Sequence, residues 1–61
     1  MYNPTNIEKK VCMDIVKEIL RTDNEFVCEQ YVKEVFSITY SIGGDYNENT
    51  LRKVAQTIIK K

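Results

Sequence analysis

Residues 35–44 read VFSITYSIGG. Phe36, Ile38, Tyr40 and Ile42 alternate with Ser37, Thr39 and Ser41, the period of a half-buried strand. Tyr31, Val35, Ile38 and Ile42 also recur at i, i+4, i+7 and i+11, the stripe of a helix. A strand must pair, because every backbone amide and carbonyl needs a partner. No other segment of the chain alternates over such a length, so a strand here would have to pair across a dimer or add to another protein's sheet. The helix needs no partner, and Gly43 then stands where a left-handed cap residue is wanted. The segment is therefore expected to be helical to about Tyr40, with an extended 36–42 as the variant.

The neighbouring segments support a helical chain. In TNIE, Thr5 precedes Glu8 by three residues, the spacing of a capping box, and Pro4 blocks extension backward. Ile7, Val11, Cys12, Ile15, Val16, Ile19 and Leu20 then share one face, with Lys10, Asp14, Lys17 and Arg21 opposite. RTDNE interrupts the pattern with the cap residues Thr22, Asp23 and Asn24, and Thr22 to Glu25 repeats the capping-box spacing. Val27, Cys28, Tyr31, Val32, Val35 and Ile38 form the second stripe. GGDYN marks a loop, Asn47 or Asp45 caps a third helix, and Leu51, Val54, Ala55, Ile58 and Ile59 form its apolar side. The expectation is an all-α, three-helix domain spanning 1–61, with helices near 5–21, 24–41 and 48–60. Short connections make sequential helices antiparallel neighbours.

A chain of 61 residues is one small domain with a thin stability margin. It needs an efficient core, a staple or a partner. The formal net charge is zero, which disfavours a protein that holds nucleic acid through its overall field. The charge is unevenly spread. Residues 1–22 carry +1, residues 23–42 carry −3 and residues 43–61 carry +2. No apolar run approaches the ~20 residues of a membrane span, and MYNPTNIEKK has no signal-peptide core. A cytoplasmic protein is expected. The abundance of Asn, Ile, Lys and Tyr suits an AT-rich genome and hence a small bacterial or phage protein.

Several chemistries are disfavoured. There is no histidine, so the commonest general base and the Ser-His and Cys-His pairs are missing. Cys12 and Cys28 lie on apolar stripes, offset by about 7–8 Å along antiparallel helices at 1.5 Å per residue. That exceeds the usual disulfide span, so both are expected to be reduced core thiols. Two cysteines without histidine do not make a zinc site. DYNENT resembles the start of a calcium loop at Asp45, Asn47 and Asn49. Thr50 stands where that loop has glycine and Gln56 where it has glutamate, so turn and cap chemistry is the better account. No catalytic, metal or cofactor site is expected.

Two binding readings remain. Phe36, Tyr40 and Tyr46 are aromatic residues a small core does not need, and such residues anchor protein interfaces. Glu25, Glu29 and Glu34 would form an acidic rim that steers a basic partner. This predicts a non-enzymatic regulator or inhibitor that binds another protein through the second helix and the Gly43–Asn47 loop, with room for homodimerisation. The alternative is a dimeric DNA-binding regulator that uses Arg52, Lys53, Gln56 and Lys60 of the third helix.

Overall fold

The structure, a computed structural model, describes residues 4–59. Three helices follow in order: α1 (Asn6–Leu20), α2 (Glu25–Ser41) and α3 (Glu48–Ile59). Each packs on the other two, around one apolar centre. Residues 36–41 continue α2, so the described residues contain no strand and the helical reading of VFSITYSIGG holds.

Local chemistry sets the ends. Thr5 and Glu8 form the capping box: the Thr5 amide donates to Glu8 Oε1 (2.8 Å) and the Glu8 amide to Thr5 Oγ1 (3.1 Å). These bonds satisfy amides that a helix start leaves without partners. At the second start the cap is Asn24, whose Oδ1 accepts the Val27 amide at 3.3 Å. Thr22 serves one step earlier, its Oγ1 accepting the Asn24 amide at 3.2 Å, so the spacing to Glu25 is not used as a capping box. Asn47 Oδ1 accepts the Thr50 amide (2.9 Å) at the head of α3.

The core joins Cys12, Ile15 and Val16 of α1, Cys28, Val32, Val35 and Phe36 of α2, and Leu51, Val54, Ala55 and Ile58 of α3. Thr39 is buried with them, its hydroxyl donating to the Val35 carbonyl at 2.7 Å. That internal bond removes the cost of burying a lone hydroxyl. Two expectations are corrected. The buried side of α2 is rotated toward Phe36 and Thr39, leaving Val27 and Ile38 exposed. Ile7, assigned to the α1 stripe, is 77% exposed, because it lies in the first turn where neither neighbouring helix covers it. Cys12 and Cys28 are both buried free thiols, and burial pushes the Cys12 thiol up to about 12.

Candidate functional site

The features with binding potential converge on the C-terminal half of α2 and the connection that follows. α2 ends in a Schellman arrangement: the Gly43 amide donates to the Tyr40 carbonyl (3.1 Å) and the Gly44 amide to the Thr39 carbonyl (3.0 Å). Gly43 has φ 70°, a conformation that costs a side-chain-bearing residue about 1–2 kcal/mol. Gly44 is held by crowding, since a Cβ there would lie 3.2 Å from Thr50 Cγ2. The connection is thus pinned at both ends, by this glycine pair and by the Asn47 cap.

The three aromatic residues do not form one surface. Phe36 is 2% exposed and belongs to the core. Its ring meets Tyr46 edge to face, with centroids 5.1 Å apart and planes at 84°, so Tyr46 closes the core from the loop. Tyr40 is engaged within the chain and still 50% exposed, on the outside of α2 beside the loop. Of the three, Phe36 and Tyr46 brace the loop and Tyr40 offers area to a visitor. Spacing placed Phe36 and Tyr40 one turn apart but not which of them the core would take; the loop's return across α2 decided that.

The basic residues of α3 are also divided. Arg52 is clamped between helices, Nη2 donating to Glu48 Oε2 (3.1 Å) and Nη1 to Glu18 Oε2 (3.2 Å). Its pKa is raised, by the hydrogen bond to Glu48 first and then by that to Glu18. Lys53 and Gln56 are exposed on α3, and Lys60 lies outside the described residues. Two carboxylates therefore already occupy the guanidinium that a DNA-binding reading would aim at phosphate. Lys17 is paired as well, with Glu25 at 3.2 Å across the first turn.

One surface feature was not visible in the sequence. Between α2 and α3 runs an open groove of about 210 Å³, lined by Ile38, Ile42, Lys53, Val54, Thr57 and Ile58. Ile38 and Ile42 form one wall, 37% and 66% exposed, while Val54 and Ile58 form the floor as the outer edge of the core. The available signal was the i, i+4 spacing of Ile38 and Ile42 beside an already sufficient stripe. The stripe assigned from spacing includes Ile38, which the structure leaves 37% exposed, and stops short of Ile42.

No family model, curated protein or solved structure matches this chain. Among the described residues no helix is long and apolar enough to cross a membrane, and no group of acidic or cysteine side chains is arranged to hold a metal ion.

Proposed function

We propose that this chain is a small cytoplasmic regulatory protein that acts without catalysis, by seating Tyr40 and the Gly43–Asn47 loop on another protein. The observation that carries the reading is the combination of an exposed aromatic with a rigid loop beside it. Tyr40 presents half its surface next to a connection fixed by the Schellman bonds, the Asn47 cap and the Phe36–Tyr46 contact. A surface already held in shape loses little freedom on binding, and tyrosine brings large contact area with few rotatable bonds. Exposed Asp45 at the loop tip and Glu29 on α2 favour a partner with basic groups at the rim. The lack of histidine, together with an interior of apolar side chains whose buried hydroxyl, that of Thr39, is bonded within its own helix, supports a binding role over acid–base chemistry.

The test is site-specific photocrosslinking in the source cells. A photoreactive residue at position 40 should give a discrete adduct with a second protein, and one at Asp14, exposed on α1, should not. Equal labelling from both positions, or adducts from neither, would remove the reading.

A further inference from the structure

We draw no further inference here: the strongest candidate, the open apolar groove between α2 and α3 bordered by Ile38, Ile42, Val54 and Ile58, is an unpartnered face, and nothing in the structure shows what covers it.

Discussion

The two inter-helix connections do the same task with different parts. Between α1 and α2 the chain turns through Arg21, a non-glycine residue in the left-handed region (φ 57°, ψ 47°). The turn is held by backbone bonds to the Lys17 carbonyl, by the Asn24 cap and by an exposed Lys17–Glu25 ion pair. Between α2 and α3 the left-handed position is glycine, and Tyr46 reaches from the connection to the buried Phe36 ring. The first turn is tight, polar and mildly strained. The second is relaxed in its backbone and anchored in the core. The difference teaches where a contact surface is placed: the anchored turn is the one that can offer a shaped loop, and the exposed Tyr40 stands beside it.

Substitutions can break this contrast, beginning with the anchor. Phe36→Ala removes the ring under Tyr46 and should lower stability by about 3–5 kcal/mol, read as the urea midpoint, with hydrogen exchange rising first around Gly43–Asn47. A loss below about 1 kcal/mol would show that the second turn is not core-anchored.

The two left-handed positions give the next comparison, with opposite signs. Gly43→Ala should cost about 1–2 kcal/mol, because space is open there and only the backbone conformation resists. Arg21→Gly should instead stabilise the chain by about 0.5 kcal/mol, the relief of left-handed strain exceeding the added freedom of the unfolded state. Thermal unfolding of both variants checks the pair, and destabilisation by Arg21→Gly would mean that the arginine side chain holds the first turn.

A smaller effect calibrates the whole, since Cys12 lies mid-helix in the core. Its pKa is raised to about 12 by burial, so the folded chain keeps a proton that the unfolded chain loses near 9. This contribution is complete below about pH 9 and falls away as the pH rises toward 12, amounting to about 1 kcal/mol by pH 10. Cys12→Ala should flatten that part of the alkaline stability curve while lowering stability at neutral pH. An unchanged alkaline slope would show that Cys12 ionises without unfolding.

Much of the fold was legible because it rests on short-range rules. The Thr5–Glu8 box, the left-handed Gly43 and the stripe of α3 each depend on nearby residues and appear as read, and of the two cap candidates for α3, Asp45 and Asn47, Asn47 takes the role. The strand-like alternation in VFSITYSIGG shows where local reading weakens. Ile38, Tyr40 and Ile42 are all exposed and Thr39 is buried, so the apparent apolar face is not the face that packs. A threonine can enter a helical core by bonding its own carbonyl four residues back, as Thr39 does, and composition does not reveal that choice.

The sequence by itself determined that there would be three helices, where they start, and that the chain turns at Gly43, because capping and helix periodicity are local properties of the chain. Only the tertiary structure decided that Phe36 goes inside while Tyr40 stays out, that Arg52 is held by Glu18 and Glu48, and that Ile38 and Ile42 border a groove. The rotation of a helix about its axis is set by what its neighbours can cover. A stripe wider than the contact leaves its margin to solvent, and which margin is left depends on residues distant along the chain.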